Sequence, residues 1–469
     1  MNITDRINHD RVDSSRLSSI ASSVLLNGTL AISNTINKLT DETVLYTGNG
    51  SSQSIVTGIG SKDINYSATV AYTTAEGNNL AFDRSTMKLY KCILASTGNA
   101  VTNGTYWLEV ADDVVEFWDS SKVHIKSRSF ASSHFVVDSI RGAARRINTD
   151  NTAAEALFLG FTISAFNMNG FTVSGQSYGV NDSSATYVAH QIYYNKVMIT
   201  TTNHGKRAIV AFNDVTNESM TLYQGSGIAS HEIAHGLGEA PEFTTIKPLN
   251  VTGHWSVLSG NRYKSYLNLT NAAEDGVYNL IAPSNASYLV TGVTLDSGWT
   301  NFLNEYYIAY SKASSATRKI GTYVGTGQAG NKVVTGFKPS RLIIKAVSGV
   351  SSWHLTDNKR ALGTNTGVLY LNISAAEYTD GLNDLEYEID GFSLIDTTMN
   401  INQAGVTYHY EATADTNSNG GGAYSHNEAT KITTVLDTDT RTGRDFKAKV
   451  DLDNGEEVTR LSIPIKQLG

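Results

Sequence analysis

The chain has 469 residues, which is enough for two to four domains that each bury a core. Charged residues make up only 17% of it and Pro occurs 5 times, whereas Gly (40) and Tyr (24) are abundant, a composition that favours short strands and turns over helices. The formal net charge is -8, and the lack of a basic cluster beyond Arg141–Arg146 argues against a nucleic-acid partner. The single cysteine, Cys92, excludes an intrachain disulfide and a Cys-rich zinc site.

Residues 1–45 are predicted to form a helical anchor segment. Asp13 or Ser14 would cap a short helix that stops at Asn27-Gly28. The apolar face of this helix would consist of Leu17, Ile20 and Val24. That face needs a partner, either its own symmetry mates or a docking surface on a larger particle. No secretory signal pattern or membrane-spanning window is found, so we expect synthesis in the cytoplasm without membrane insertion.

Four sequence blocks recur three times in the same order. The first is Tyr-x-Gly-x-Gly, a spacer and a short apolar run ending in Gly, and it begins at Tyr46, Tyr223 and Tyr323. The second is an apolar run that closes on Ile-Lys, with an aromatic cluster eight or nine residues after the Ile. The Ile-Lys pairs are Ile125-Lys126, Ile246-Lys247 and Ile344-Lys345, and the aromatic clusters begin at His134, His254 and Trp353.

The third block contains Ala-Ala-Glu, and the fourth is a closing aromatic strand. The Ala-Ala-Glu blocks end at Glu155, Glu274 and Glu377, and the aromatic strands are 186–190, 305–310 and 407–410. Four blocks in one order are much harder to produce by chance than one short motif. The chain is therefore interpreted as three copies of one module.

The repeat sets the predicted domain boundaries. Module 1 covers residues 46–196, module 2 covers 197–313, module 3 covers 314–414, and a Gly/Asn linker with a C-terminal β tail covers 415–469. The spacing from Tyr46 to Tyr223 is 177 residues and exceeds the next spacing by 77, which predicts a strand-rich insertion at about 61–122 in module 1.

The period-two pattern within each module predicts an all-β fold. Residues 332–345 are predicted to form a hairpin with a five-residue loop. Units of about 100 residues built from such strands suit tandem β-sandwich modules of the jelly-roll or concanavalin-like type. The predicted architecture is therefore a short N-terminal helix followed by these tandem modules.

The string His231-Glu232-Ile-Ala-His235 matches the pattern in which two His one helical turn apart bind zinc and the Glu activates water. Zinc metalloprotease is therefore a minor alternative function. The chemistry needs a helix, but glycines flank the string, and Pro241 stands where the extended pattern has its third His. The corresponding positions in the other modules are Gln53, Ser54 and Thr57, and Asn331, Lys332 and Thr335. Because those residues do not bind zinc, we predict a strand here, with no catalytic residues, no metal and no cofactor.

Three weaker motifs are interpreted as loops. Gly325–Gly330 matches the dinucleotide fingerprint, but a strand-like segment follows it instead of a helix. Gly175–Gly179 fits the hydrolase nucleophile elbow, but it lies in a polar loop of a chain without alternating strands and helices. Asp437–Gly443 resembles the opening of a calcium loop, but its Gly comes one place late and position twelve is Ala448. A weak surface cation site is left open there.

Taken together, these blocks resemble the repeated modules of tailed-bacteriophage structural proteins. The residues that carry the resemblance most fully are Ile125-Lys126, Asp138-Ser-Ile-Arg141, Ala153-Ala-Glu155, Gly170-Phe171 and Tyr187-Val-Ala. The Asp-x-x-Arg step is interpreted as eroded in modules 2 and 3. The resemblance covers residues 46–412 and implies a non-enzymatic β-sandwich protein of the virion, made in the host cytoplasm and often found in fibres or other attachment structures.

Two functions of different classes follow from this resemblance. A tail-fibre or attachment protein, expected as a homotrimer, would contribute to host adsorption through exposed aromatic side chains that stack on glycans. The candidate receptor contacts are Trp255, Trp299, Trp353, Tyr263 and Tyr266. The same side chains would equally fill module cores, which is the commoner place for them. The alternative is an architectural part, such as a head fibre, collar or tail adaptor, and in both cases residues 1–45 would bind other virion proteins.

Overall fold

The structure is a computed structural model that describes residues 40–414 with short gaps, and six short strands outside that range. The gaps are 159–161, 176–178, 261, 276–280, 283–284, 292–297, 363–364, 380–384 and 396–400. By internal contacts the chain divides into a core unit, residues 40–414, and a terminal unit, residues 1–39 and 415–469. The described elements are nearly all antiparallel strands, so the all-β prediction is confirmed. None of the helices in the described part could span a membrane.

The predicted N-terminal helix is wrong at its C-terminal end. Strand β1, Ser23–Leu26, pairs antiparallel with β2, Thr29–Ile32, so Val24 lies on a strand. Leu26 pairs with Thr29, and the sequence between them, Asn-Gly, is typical of two-residue hairpin loops as well as of the helix end predicted from the sequence. The rest of the predicted helix lies outside the described residues.

Module 1 contains two sheets and an insertion between their strands. Its first strands and those of the insertion are β3 (Asp41–Thr47), β4 (Gln53–Val56), β5 (Ala71–Tyr72), β6 (Leu80–Asp83), β7 (Lys88–Cys92), β8 (Ser96–Thr97) and β9 (Trp107–Glu109). Its later strands are β10 (Val115–Ser127), β11 (Phe135–Asp138), β12 (Arg145–Asn148), β13 (Ala156–Leu157), β14 (Ile163–Asn167), β15 (Gly170–Val173) and β16 (Thr186–Thr201). The larger sheet has the order β3-β16-β10-β11-β12-β13, and the smaller has the order β4-β15-β14. β3 begins at Asp41, so five residues assigned to the anchor segment belong to this sheet.

Module 2 repeats the same strand order. Its strands are β17 (Arg207–Asn213), β18 (Glu218–Gln224), β19 (His231–Ala234), β20 (Phe243–Pro248), β21 (Ser256–Ser259), β22 (Tyr263–Tyr266), β23 (Glu274–Asp275), β24 (Ile281–Ala282), β25 (Tyr288–Thr291) and β26 (Tyr306–Lys312), with one short helix, α1 (Gly298–Asn301). The larger sheet has the order β18-β26-β20-β21-β22-β23 and the smaller has the order β19-β25-β24. β17 pairs with both β16 and β18, so the larger sheets of modules 1 and 2 are continuous.

Module 3 has the same two sheets. Its strands are β27 (Arg318–Val324), β28 (Asn331–Val334), β29 (Pro339–Ala346), β30 (His354–Asp357), β31 (Ala361–Leu362), β32 (Asn365–Thr366), β33 (Leu369–Tyr370), β34 (Leu385–Glu388), β35 (Gly391–Leu394) and β36 (Thr407–Ala414). The larger sheet has the order β27-β36-β29-β30-β33 and the smaller has the order β28-β35-β34. The predicted hairpin at 332–345 is wrong, because β28 and β29 belong to different sheets.

The terminal unit contains two more described hairpins. β37 (Ser425–Asn427) pairs with β38 (Ile432–Thr434), and β39 (Phe446–Ala448) pairs with β40 (Leu461–Ile463).

The Tyr-x-Gly-x-Gly block packs against the loop that precedes each closing strand. Its Tyr stacks on the second residue of that strand, also a Tyr, and the pairs Tyr46–Tyr187, Tyr223–Tyr307 and Tyr323–Tyr408 have centroid distances of 5.1, 5.2 and 5.1 Å. A Cβ on the first Gly of the block would lie 2.1 Å from a backbone oxygen at Gly225 and 2.2 Å from one at Gly48 and Gly325. The block is therefore glycine-rich because two backbone segments touch there.

Replacing Gly225 with alanine is expected to lower the free energy of unfolding by about 2–3 kcal/mol, because the new Cβ overlaps the backbone oxygen of Phe302 and the loop must shift. Urea denaturation followed by tryptophan fluorescence measures the change. Gly104→Ala is the matched control, since no atom lies within 4 Å of its Cβ position. Equal stability of the two variants would contradict the close approach.

The three modules close into a ring through equivalent contacts. The buried Lys of each Ile-Lys pair donates a hydrogen bond from Nζ to a backbone carbonyl of another module: Lys247 to Thr152 (3.1 Å), Lys345 to Thr270 (2.9 Å) and Lys126 to Ser374 (3.4 Å). Module 2 thus donates a hydrogen bond to module 1, module 3 donates one to module 2, and module 1 donates one to module 3. This cycle gives the core unit approximate three-fold symmetry within one chain.

Backbone hydrogen bonds of the third block follow the same cycle of contacts between modules, and they correct the alignment of the repeat in module 2 by one residue. The amide nitrogens of Glu155, Ala273 and Glu377 donate to the carbonyls of Leu249, Val347 and Arg128, at 2.8, 2.9 and 3.0 Å. In module 2, Ala273 is therefore structurally equivalent to Glu155 and Glu377. The sequence repeat had aligned the next residue, Glu274, with them. Glu274 is exposed and its Oε2 lies 3.1 Å from Nζ of Lys264.

The Asp-x-x-Arg step is intact in module 3, which corrects our interpretation of erosion there. In module 1, Nε of Arg141 donates to Oδ2 of Asp138 at 2.6 Å and the guanidinium also contacts Glu155. In module 3, Nε of Arg360 donates to Oδ2 of Asp357 at 2.6 Å and Nη1 donates to Oε1 of Glu377 at 3.0 Å. Both arginines are fully buried, so the step anchors the third block by a charged, desolvated contact.

Candidate functional site

A cavity of about 100 Å³ lies where the three larger sheets meet, on the approximate three-fold axis of the ring. We call it the axial cavity. Residues at the same repeat position of each module line it, as strand register shows: Lys122, Phe243 and Arg341; His124, Thr245 and Ile343; Thr149, Leu267 and Leu371. Trp255, Tyr310 and Lys312 complete much of its wall. The cavity is therefore built from all three modules.

Seven charged side chains, which we call the axial ion network, surround this axis. They are Asp41, Lys122, Glu218, Lys312, Arg318, Arg341 and Glu411. Arg341 binds Asp41 with two hydrogen bonds of 2.6 and 2.5 Å, and Lys312 donates to Glu411 at 2.7 Å. Arg318 donates to Glu218 and its Nε lies 3.4 Å from Glu411. These residues tie the first and last strands of the modules together.

Three-fold related positions of the network carry complementary charges. Asp41, Glu218 and Arg318 occupy the same place at the start of β3, β18 and β27, as their pairing with the closing strands shows. In a trimer of identical chains each such place would hold one residue type three times, which would bring like charges together. Joining the modules in one chain allows opposite charges at these places.

Burial and neighbouring charges shift the pKa values of this network in opposite directions. For Lys122, burial and then the charge of Lys312 lower the pKa to about 8. Burial alone would raise the pKa of Glu218, but the charges of Arg318, Lys312 and Lys122 outweigh it and hold that pKa well below its usual range. The carboxylate therefore stays ionised, whereas Lys122 is the least firmly charged cation of the network.

A cluster of three histidines lies beside the cavity in module 1, and two of them, His124 and His190, line it. Nε2 of His124 lies 3.0 Å from Nδ1 of His134, and the ring of His124 stacks on those of His134 and His190 at 5.2 and 5.7 Å. Nε2 of His190 lies 3.2 Å from Oδ2 of Asp357 in module 3. Burial lowers the pKa of all three histidines, so they are neutral at pH 7. The cluster is an interface between modules 1 and 3 and has no arrangement of three or more metal ligands, a finding limited to the described residues.

The core unit is expected to lose stability as the pH falls from about 6.5 to 4. His409 is buried, and burial lowers its pKa to about 4, so in this range the unfolded chain binds a proton that the folded chain excludes. The stabilisation is complete above about 6.5 and shrinks as pH falls, by about 2 kcal/mol at pH 5 for this residue. Urea denaturation at pH 5 and pH 7 measures it. His409→Phe should reduce the difference between the two pH values, and an unchanged difference would contradict the assignment.

The residues predicted to contact a receptor lie in different environments in the structure. Trp255 and Trp353 are each 1% exposed, and their Nε1 atoms donate to the backbone oxygens of Asn148 and Tyr266 in neighbouring modules at 2.6 and 3.1 Å. They belong to the module interfaces, and Trp255 also lines the axial cavity. Tyr263 and Tyr266 are half-buried on β22. The side chain of Trp299, and the calcium-like loop 437–443, lie outside the described residues.

The zinc-like string forms strand β19, as the repeat predicted. Nδ1 of His231 lies 2.9 Å from Oδ1 of Asn301 and Nε2 lies 2.8 Å from Oγ1 of Thr202. Nε2 of His235 lies 3.0 Å from the backbone oxygen of Asn285. Both imidazoles are therefore engaged within module 2, and the helical geometry that the zinc chemistry needs is not present in this strand.

The other glycine motifs also serve the fold. Gly325–Gly330 leads into strand β28, and no helix follows it. In the elbow-like string, residues 176–178 lie outside the described part of the chain. Sequence reasoning missed the axial cavity altogether. Its one signal in the sequence was the alternation of Lys122, His124 and Lys126 with apolar residues at the end of β10, which is ambiguous without knowledge of the ring.

Residues 115–417 match a family model described as a domain of unknown function, DUF7483. The chain belongs to this family. The DUF7483 match begins at the first residue of β10 and so leaves out β3 and β4, although β3 pairs with β16 and β4 pairs with β15 inside it. The structural unit that contains the DUF7483 region therefore starts near residue 40. Comparison with curated proteins and with solved structures gave no match.

Proposed function

We propose that the protein is a structural component of a bacteriophage virion, in a tail fibre or attachment structure, without catalytic activity. One observation carries this proposal: the residues of the phage-like resemblance join modules together. Lys126 binds the backbone of Ser374, and Arg141 binds Glu155, whose amide nitrogen donates to Leu249. Motif residues that are buried in interfaces support assembly, whereas catalytic or ligand-binding motifs face a surface or cavity.

Each module is, in this proposal, a β-sandwich of the jelly-roll or concanavalin-like type. The support comes from buried clusters to which both sheets of a module contribute. In module 1, Val123 and Ile125 of the larger sheet share a cluster with Phe171 of the smaller sheet, and in module 3 Ile344 shares one with Phe392. Stacked sheets of this kind resist deformation, which suits a part of a particle that bears mechanical load.

The burial of Trp255 and Trp353 favours a second candidate, an architectural part such as a head fibre, collar or tail adaptor without receptor binding. These are two of the five candidate glycan contacts, and each side chain is only 1% exposed. The remaining described candidates, Tyr263 and Tyr266, present only part of their surface.

Two experiments separate these roles. Antibodies against the recombinant protein, used in immunogold labelling of virions, should label the particle, and failure to label any virion part would overturn the structural proposal. Recombinant protein added before infection should bind host cells and block adsorption if the protein is an attachment component. Labelling of a collar or head site without any block of adsorption would favour the architectural role.

Attachment to the virion through residues 1–45 and a homotrimeric state are parts of the same proposal. Light scattering tests the oligomer, because one chain has a mass of 50.6 kDa. A homotrimer would have three times that mass. Deletion of residues 1–39 removes only residues of the terminal unit, so the core unit should still fold. The shortened protein should no longer be incorporated into virions.

A further inference from the structure

The axial ion network contains one more cation than anion. Its cations are Lys122, Lys312, Arg318 and Arg341, and its anions are Asp41, Glu218 and Glu411. Three of the cations lie within hydrogen-bonding distance of a carboxylate. Lys122 differs, because its nearest acidic oxygen, Oε1 of Glu218, is 3.6 Å away, and its Nζ donates no hydrogen bond within the described part of the chain.

This excess charge is desolvated. Lys122 is 8% exposed, and its ammonium lies 4.5 Å from the centre of the Tyr310 ring. Burying an ammonium without a paired anion is costly, so such groups gain a counter-ion or lose their proton. Burial lowers the pKa of Lys122 only to about 8, so the group is still mostly protonated at pH 7.

The cavity beside Lys122 is suited to an anion with a small apolar part. No carboxylate is found among its described lining residues, whereas the cations Lys122, Lys312 and Arg341 all line it, and the carboxylate nearest to Lys122 is that of Glu218, at 3.6 Å. Phe243, Trp255 and Leu371 supply apolar walls. A cavity of 150 Å³ is known to hold benzene, which has six carbon atoms, so about 100 Å³ accommodates roughly three to five carbon and oxygen atoms.

We propose that the axial cavity binds a small monocarboxylate, with the carboxylate paired to Nζ of Lys122 and the apolar end against Phe243, Trp255 and Leu371. The ligand neutralises the extra charge of the axial ion network and fills the space between the three modules. It therefore stabilises the ring at the point where the modules meet. This site does not depend on the proposed virion role.

Titration of the full-length protein with sodium propionate tests the site, in a chloride-free buffer at pH 7. We expect one site per chain by isothermal titration calorimetry, with millimolar or tighter binding, and a melting temperature that rises with propionate concentration. Propionamide has the same shape without the charge, and it should bind at least tenfold more weakly. Equal binding of both compounds, or no binding of propionate, would overturn the proposal. Sodium chloride that gives the same rise as propionate would also overturn it, because the site would then accept any anion.

Lys122→Met keeps the apolar stem and removes the ammonium, and it should weaken propionate binding at least tenfold. Lys88→Met is the matched control, because Lys88 is partly exposed and pairs with Glu109 on the insertion. If Lys122→Met does not fold, the wild-type pH series decides instead. Propionate binding should weaken between pH 7 and pH 10 as Lys122 loses its proton, and binding that stays constant over this range would contradict the role of Lys122.

Discussion

Replacing Trp353 with alanine is expected to lower the free energy of unfolding by about 3–5 kcal/mol. The side chain is 1% exposed, and its Nε1 donates to the backbone oxygen of Tyr266 across the interface between modules 3 and 2. Alanine leaves a cavity of indole size and an unpaired carbonyl at that interface. Urea denaturation at pH 7 measures the loss, and Trp255→Ala should behave alike because Trp255 has the equivalent contact with Asn148.

Phe117→Ala is the control for this prediction, since Phe117 is 55% exposed and should change stability by no more than about 0.5 kcal/mol. The comparison also tests the receptor hypothesis. A Trp353→Ala variant that keeps its stability and loses binding to host cells would mean that the side chain contacts a ligand. If the variant is less stable but its folded fraction still binds host cells as wild type does, Trp353 stabilises the ring and does not contact a receptor.

Arg360→Leu is expected to destabilise the core unit by about 3–5 kcal/mol, because it leaves the buried carboxylate of Asp357 without its main partner and removes one of the two arginines that bind Glu377, the other being Arg128. Arg360 is fully buried and contacts Asp357 at 2.6 Å and Glu377 at 3.0 Å. Burial would raise the pKa of Asp357, but the charge of Arg360 and the hydrogen bond with His190 outweigh this effect and lower the pKa. Without Arg360, we expect the pKa of Asp357 to rise and part of the lost stability to return at low pH.

The repeat offers a control at the same position of module 2. Arg262 pairs with Asp275 at 2.5 Å, but both side chains are more than half exposed, so Arg262→Leu should cost less than about 1 kcal/mol. Thermal or urea denaturation compares the two variants. Equal decreases in the free energy of unfolding would contradict the view that burial determines how much the Asp-x-x-Arg contact stabilises a module.

Local patterns in the sequence predicted the strands well, because period-two alternation and turn residues act within a few positions. The strand at His231–Ala234 was predicted correctly against a complete zinc-binding string, since sister modules hold residues that cannot bind zinc at the same places. The Tyr-x-Gly-x-Gly block was also recognised as structural. Its reason, close contact between two backbone segments, needed the structure.

Contacts between distant segments could not be predicted from these patterns. β28 and β29 alternate as a hairpin would, but which sheet each strand joins depends on burial of opposite faces in three dimensions. The Asn27-Gly28 pair suits both a helix end and a hairpin loop, so local chemistry alone does not decide. Trp255 and Trp353 were assigned to a binding surface or a module core, whereas they lie between modules, a place that sequence alone does not reveal.

The axial cavity was missed for the same reason. Lys122, Phe243 and Arg341 share a repeat position but not a residue type, so self-comparison of the sequence shows them as divergence. Their proximity follows only from ring closure. The alignment shift at Ala273 has a similar origin, because the sequence favoured the matching Glu274 over the residue that occupies the equivalent backbone position.

Closure of the three-module ring within one chain has a consequence for dilution. An assembly of three separate chains dissociates as its concentration falls, since its stability includes the concentration of each partner. In this protein the contact of Lys126 with Ser374 joins the first and last modules of the same molecule, so closure is intramolecular and its effective concentration is fixed by the chain. The ring should therefore stay closed at any dilution.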